Sequence, residues 1–127
     1  MKYLLDTHVV LWAASNSSLL PETVKTAILE ERSELFVSIV SAWEVAIKLK
    51  THKLQLDGGL PEFFRMIDEN GYFTLSVERE YLQQIANLPD YHKDPFDRLL
   101  IATTITENMT IITADENIHK YGIQFLW

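Results

Sequence analysis

The sequence predicts an α/β fold, a three-layer α/β/α sandwich around a central parallel sheet of four to five strands. Short apolar runs, each suited to one buried strand, alternate with longer segments at helical spacing. No repeat, low-complexity tract or linker divides the chain, so a single domain over residues 1–127 is expected. The segment from Pro95 to Asn108 is apolar nearly all round, with Phe96, Leu99, Leu100, Ile101, Ala102 and Ile105. A helix of that kind is buried on more than one side.

Taken in order, KYLLD (2–6) reads as a short buried strand and residues 7–14 as a helix. Pro21 suits a first helical position, and Val24, Ala27 and Ile28 carry the spacing on to about Arg32. LFVS (35–38) is a second strand, followed by a helix from Ser41 to Lys50. Asp57, Gly58 and Gly59 mark a loop. Leu60, Phe63, Phe64 and Ile67 then give one side of a helix that stops at Asn70-Gly71. YFTL (72–75) is a third strand, and Ser76 offers an N-cap for a helix reaching about Asn87. TIIT (110–113) is a fourth strand, a short helix ends near Gly122, and IQFL (123–126) is a fifth strand. Parallel strands need crossover helices, and right-handed crossovers place those helices on both faces of the sheet.

Composition excludes several classes. No apolar run is long enough for a membrane span. The N-terminal apolar stretch is interrupted by Asp6 and His8, which argues against a signal peptide. Cysteine is absent, which excludes disulfides and thiolate metal sites and fits a reducing, cytoplasmic location. The formal net charge is −7. That balance suits either a plain acidic domain or a chain whose acids are gathered at a site where divalent cations invert the local field.

Four acids occupy equivalent places. Asp6 closes the first strand, Glu44 lies in the first turn of the helix after the second, Asp97 lies in the first turn of the most buried helix, and Asp115 follows the fourth strand. In open parallel sheets ligands bind at the carboxyl ends of the strands, so these acids are expected to gather there. Each also has a capping explanation. Asp6 can cap the helix beginning at Thr7, and Ser41-Ala42-Trp43-Glu44 reads as a capping box. Asp94-Pro95-Phe96-Asp97 is a favourable helix start, and Asp115 can cap the last short helix. Together, acids crowded at one sheet edge repel one another unless protonated or neutralised by a cation. An all-oxygen donor set points to Mg2+ or Mn2+, and carboxylate-held ions of that kind serve phosphoryl chemistry. His8 and His92 flank the acids and Lys48, Lys93 and Arg98 lie near them in sequence, Arg98 as a possible counter-ion to Asp94 or Asp97. Thr7 and Thr113, beside Asp6 and Asp115, have hydroxyls suited to a metal-bound water or to helix capping.

Other routes find no support. There is no Gly-x-Ser-x-Gly elbow, no Gly-x-Gly-x-x-Gly and no P-loop. A phosphatase using Asp6 as nucleophile wants a second Asp two positions on, where His8 stands.

LLDTHVVLW, SAWEVAIK, DPFDRLLIATT and ITAD, in that order, resemble the PIN-domain ribonucleases, in particular the VapC-type toxins of bacterial toxin–antitoxin pairs. The resemblance runs from Leu4 to about Asp115, and DPFDRLLIA is its most telling part. It implies that Asp6, Glu44, Asp97 and Asp115 are the catalytic, metal-holding acids, with Asp94 a helix cap and Glu116 a spare acid. It further implies Mg2+ or Mn2+ as cofactor, endonucleolytic cleavage of RNA, a homodimer and a cognate antitoxin. The alternative is a catalytically silent PIN-like domain kept for binding or regulation. The acidic net charge departs from what an RNA enzyme wants and requires a local basic surface.

Overall fold

A computed structural model describes all of residues 1–127. Five strands, β1 (Lys2–Leu5), β2 (Glu34–Ser38), β3 (Phe73–Leu75), β4 (Thr110–Ile112) and β5 (Phe125–Leu126), form one sheet in the order β3-β2-β1-β4-β5. Every neighbouring pair is parallel. Seven helices connect them: α1 (Thr7–Ala14), α2 (Glu22–Leu29), α3 (Ile39–Lys50), α4 (Gly59–Glu69), α5 (Arg79–Ile85), α6 (Pro95–Glu107) and α7 (Glu116–His119). The expected α/β/α sandwich is the fold observed.

Strand side chains alternate between two cores, as a two-residue period requires. Tyr3, Leu5, Leu35, Val37 and Ile112 pack with α1, α2 and α4, including Val9, Val10, Val24, Phe63 and Ile67. Leu4 and Ile111 face the other way, onto Tyr81 of α5, Leu99–Ala102 of α6 and Ile118 of α7. Strands buried on both faces read as unbroken apolar runs, which is why KYLL and TII show no polar alternation. Full burial of a side chain such as Leu4 or Phe63 contributes about 1.5–3 kcal/mol each. The buried hydroxyls of Thr103 and Thr104 in α6 are satisfied inside the helix, donating to the Leu99 and Leu100 carbonyls at 2.8 Å.

Several boundaries differ from expectation. The helix after the second strand starts at Ile39, because Ser38 Oγ accepts the Val40 N–H at 3.2 Å and caps it earlier. That start puts Glu44 beyond the first turn, so the Ser41–Glu44 capping box does not form. Pro21 is the N-cap of α2 rather than its first residue, and α2 ends at Leu29 instead of Arg32. Ser76 caps nothing: its hydroxyl donates to Glu78 Oε1, and α5 begins at Arg79 and ends at Ile85. Strand β5 is limited to Phe125–Leu126. No helix is long and apolar enough to cross a membrane.

The strand order reverses between β1 and β4, the point at which a doubly wound sheet opens a crevice outside its carboxyl ends. Asp6 follows β1 there, and Thr113 to Asp115 follow β4. The Asp6 N–H donates to the Ile112 carbonyl at 3.1 Å, which ties the two strand ends together.

Candidate metal centre

Asp6, Glu44, Asp97 and Asp115 line one cavity of about 380 Å³ at this crevice, together with Asp94, His8, Trp12 and Lys48. The fold thus brings together all four acids singled out in the sequence. Asp6, Asp97 and Asp115 are delivered by helix starts or strand ends, and Glu44 by the middle of α3. Asp6 is the N-cap of α1, its Oδ1 accepting the Thr7 N–H at 2.7 Å. Asp115 is the N-cap of α7, its Oδ1 accepting the Asn117 N–H at 2.8 Å. Asp97 sits in the first turn of α6, where Asp94 Oδ1 caps the Phe96 and Asp97 N–H groups at 2.9 and 3.1 Å. The capping and site-forming readings therefore coexist for Asp6 and Asp115, while Asp94 acts as a cap at the cavity wall.

Three small donors link the acids in a chain. Thr7 Oγ1 donates to Glu44 Oε1 at 2.7 Å while the Thr7 N–H binds Asp6. Thr113 Oγ1 donates to Asp6 Oδ2 at 2.7 Å and accepts the Asp115 N–H at 3.1 Å. His92 Nε2 hydrogen-bonds Asp115 Oδ2 at 2.8 Å and lies 3.0 Å from Asp97 Oδ2. The order is Glu44–Thr7–Asp6–Thr113–Asp115–His92–Asp97. Sequence reading named both threonines as neighbours of the acids but not as their fixed donors. Only proximity in space shows that His92 bridges two acids.

Lys48 is the one lysine or arginine on the cavity wall, with Nζ 2.7 Å from Glu44 Oε2. The four-residue Glu-to-Lys spacing on a helix is a legible signal for that pair. Burial by itself would lower the Lys48 pKa, but the Glu44 hydrogen bond and charge, with Asp94 and Asp97, hold it above the usual value. Arg98 turns away from the acids. Its guanidinium donates to the carbonyls of Pro89 and His92 at 3.0 and 3.1 Å, so it neutralises neither Asp94 nor Asp97 and instead braces the preceding loop.

The electrostatics are those of a site short of positive charge. Burial, then the charges of Asp6, Asp94, Glu44 and Asp115, push the Asp97 carboxyl up to about 8. Burial likewise raises Asp6, against the opposing Thr113 and Thr7 hydrogen bonds. Burial would raise Asp115 as well, but the hydrogen bonds from His92 and the Asn117 N–H outweigh it and leave that carboxyl low. A cation among these groups removes the repulsion that keeps Asp97 protonated. The donors are carboxylate oxygens with no thiolate, and His92, Asp97 and Asp115 offer ligand atoms within 4.8 Å of one another. This donor set fits a hard divalent cation, Mg2+ or Mn2+, better than zinc.

Comparison with known proteins agrees with this architecture. The PIN domain family matches residues 3–124, a stretch that contains all four acids. Ribonuclease VapC22 of Mycobacterium tuberculosis is 27% identical over 119 residues, covering 93% of this chain and 90% of its own length. Among solved structures, VapBC-1 from nontypeable Haemophilus influenzae superposes with a TM-score of 0.69 at 14% identity, over 99% of this chain and 97% of its own. A toxin-antitoxin complex from Klebsiella pneumoniae gives 0.66 at 15% identity, over 98% and 96%. At such identities the structures establish likeness of fold alone. With the family matched across nearly its whole length, the chain belongs to the PIN domain family.

Proposed function

We propose that this protein is a metal-dependent endoribonuclease, the toxin of a toxin–antitoxin pair, in which Asp6, Glu44, Asp97 and Asp115 are the catalytic, metal-holding acids. The observation that carries the reading is the convergence of these carboxylates, from four separated segments, on one cavity at the sheet's switch point. The similarity to ribonuclease VapC22 supports RNA as substrate.

Asp6, Glu44, Asp97 and Asp115 would hold Mg2+ or Mn2+ between them. The bound ion supplies Lewis acidity toward phosphate oxygens and a more acidic water for attack on phosphorus. The chain's own residues provide the placement. Thr7 and Thr113 fix the carboxylate rotamers through hydrogen bonds made before any ligand arrives, which removes a reorganisation cost. Lys48 is positioned to meet a phosphate on the cavity wall and to offset the charge of Glu44. That makes it the local basic group an acidic chain needs at this cleft.

The proposed partners have surfaces to match. A groove of about 460 Å³, lined by Leu11, Trp12, Leu54, Leu56, Arg65 and Met66 among others, adjoins the acidic cavity through His8 and Trp12. It suits an antitoxin segment that silences the enzyme. Ile39, Trp43 and Ile47 stand exposed at four-residue spacing along α3, a row suited to a homodimer. A cytoplasmic location accompanies this role.

The test is cleavage of a mixed RNA pool by the purified protein with Mg2+, with Mn2+ and with chelator. Metal-dependent cleavage that Asp6→Asn and Asp97→Asn both abolish is the expected result. Cleavage that persists in chelator contradicts the reading, and an inert protein favours a silent binding domain.

A further inference from the structure

The loop between α5 and α6 is pinned to an unusual degree for an exposed connector. Arg98 donates to the Pro89 and His92 carbonyls, at 3.0 and 3.1 Å. Tyr121 Oη donates to the Pro89 carbonyl at 2.8 Å and accepts the His92 backbone N–H at 2.9 Å. All of this fixes His92, whose side chain is only 12% exposed.

The His92 ring is held as well as its backbone. The Asp94 N–H donates to Nδ1 at 3.1 Å, so Nδ1 is an acceptor and carries no proton. The ring proton is therefore on Nε2, the atom 2.8 Å from Asp115 Oδ2 and 3.0 Å from Asp97 Oδ2. A metal-ligating imidazole instead presents a bare nitrogen to the ion and donates from the other. The hydrogen bond at Nδ1 is opposed to that arrangement. His92 lies within coordinating distance of the acids, but its tautomer is that of a donor.

We propose that His92 is a positioning residue and not a ligand: its Nε2–H holds Asp115, and with it the neighbouring Asp97, in the rotamers from which their remaining lone pairs receive a divalent cation. This rests on the reading of the cavity as a metal centre. Asp115 has the greater need of such a hold, since 32% of its side chain is exposed, twice the 16% of Asp97. The Asn117 N–H holds Asp115 Oδ1, and His92 fixes the second oxygen.

Two measurements test the inference. Nitrogen-15 ring correlations of His92 in the metal-free protein should show a protonated Nε2 and an acceptor Nδ1, unchanged at saturating Mg2+. A proton on Nδ1, or loss of the Nε2 proton when Mg2+ is added, overturns it. Calorimetric titration with Mn2+ then compares wild type, His92→Ala and His92→Gln. Removing the donor should weaken binding about 10–100-fold, and Gln, whose amide N–H reaches a position near that of Nε2, should recover most of it. Wild-type affinity in His92→Ala overturns this inference alone. Absence of Mn2+ binding by the wild type overturns the metal-centre reading and this inference with it.

Discussion

The Thr113 hydroxyl donates to Asp6 Oδ2 at 2.7 Å across 107 residues of chain, and Thr113 Oγ1 itself accepts the Asp115 N–H. One fully buried side chain therefore sets both the rotamer of Asp6 and the path of the backbone leading to Asp115. Thr113→Val keeps the shape and removes both bonds. Leaving a buried acceptor unsatisfied costs about 1–3 kcal/mol, and loss of a partner behind a ligand lowers metal affinity or activity about 10–100-fold. Denaturant melts and Mn2+ titration of the variant check both figures, and a variant equal to wild type in metal affinity refutes the role given to Thr113.

The sign of the Asp97 shift fixes a pH dependence. Its carboxyl titrates near 3.8 when unperturbed and at about 8 in the fold. Between those values the native state binds more protons than the unfolded chain, so its contribution to stability is present below pH 3.8 and is lost as pH rises through about 8. Asp115 has the opposite sign, but its effect falls at the acid end, below the usual carboxylate range. Metal-free protein should thus lose thermal stability from pH 5 to pH 8, roughly the window set by Asp97. Because the ion binds ionised carboxylates, Mg2+ affinity should climb over the same window. Melting curves in chelator and in Mg2+ across that range are the check; parallel curves contradict the assignment.

Asp97→Asn removes the ionisation cost while keeping the size of the side chain. In chelator above pH 8 this variant should melt higher than wild type, by roughly 2–8 °C for a gain of about 1 kcal/mol. It should also show no stabilisation by Mg2+. A variant less stable than wild type under those conditions means that Asp97 is not held against repulsion.

Arg98→Met tests the loop. The change deletes donors to Pro89 and His92 but retains much of the apolar stem. Hydrogen exchange of residues 86–94 should quicken, and Mn2+ affinity should fall through His92 while the Phe63 and Leu4 cores stay protected. Unchanged exchange in that loop excludes the bracing role.

Trp43 is 61% exposed and meets Phe96 edge-on with ring centres 5.1 Å apart. Trp43→Glu gives up that pair, a loss of about 0.5–1.5 kcal/mol to the monomer, and should dissociate a dimer in sedimentation velocity. A wild type that is monomeric at high concentration removes the basis for that surface.

The fold was legible because its signals are local and mutually consistent. KYLL, LFVS and TII are strand-length, largely apolar runs, Asp94-Pro95 starts α6 and Asn70-Gly71 ends α4. One boundary slipped because two polar residues competed for one cap. Ser38 prevailed over Ser41, and the helix start moved with it. Asp6 and Asp115 could be found from their places after strands, since topology alone brings strand ends together, and Asp97 from its place in the first turn of the most buried helix. Apart from Lys48 for Glu44, the side-chain partners of those acids could not. Thr7, Thr113 and His92 are ordinary neighbours in sequence, and their pairing depends on register and loop path. Arg98 shows the converse: beside an acid in sequence, it bonds to loop carbonyls in space.

The central claim is that the four carboxylates share an ion, and anomalous diffraction from a Mn2+-soaked crystal tests it most directly. The account predicts one or more peaks within the cavity, at about 2.0–2.3 Å from oxygens of Asp6 and Asp97. These peaks should be absent in Asp6→Asn and should lie farther from His92 Nε2 than a coordinating bond allows. A cavity without a peak at saturating Mn2+, or an ion held elsewhere on the molecule, contradicts it.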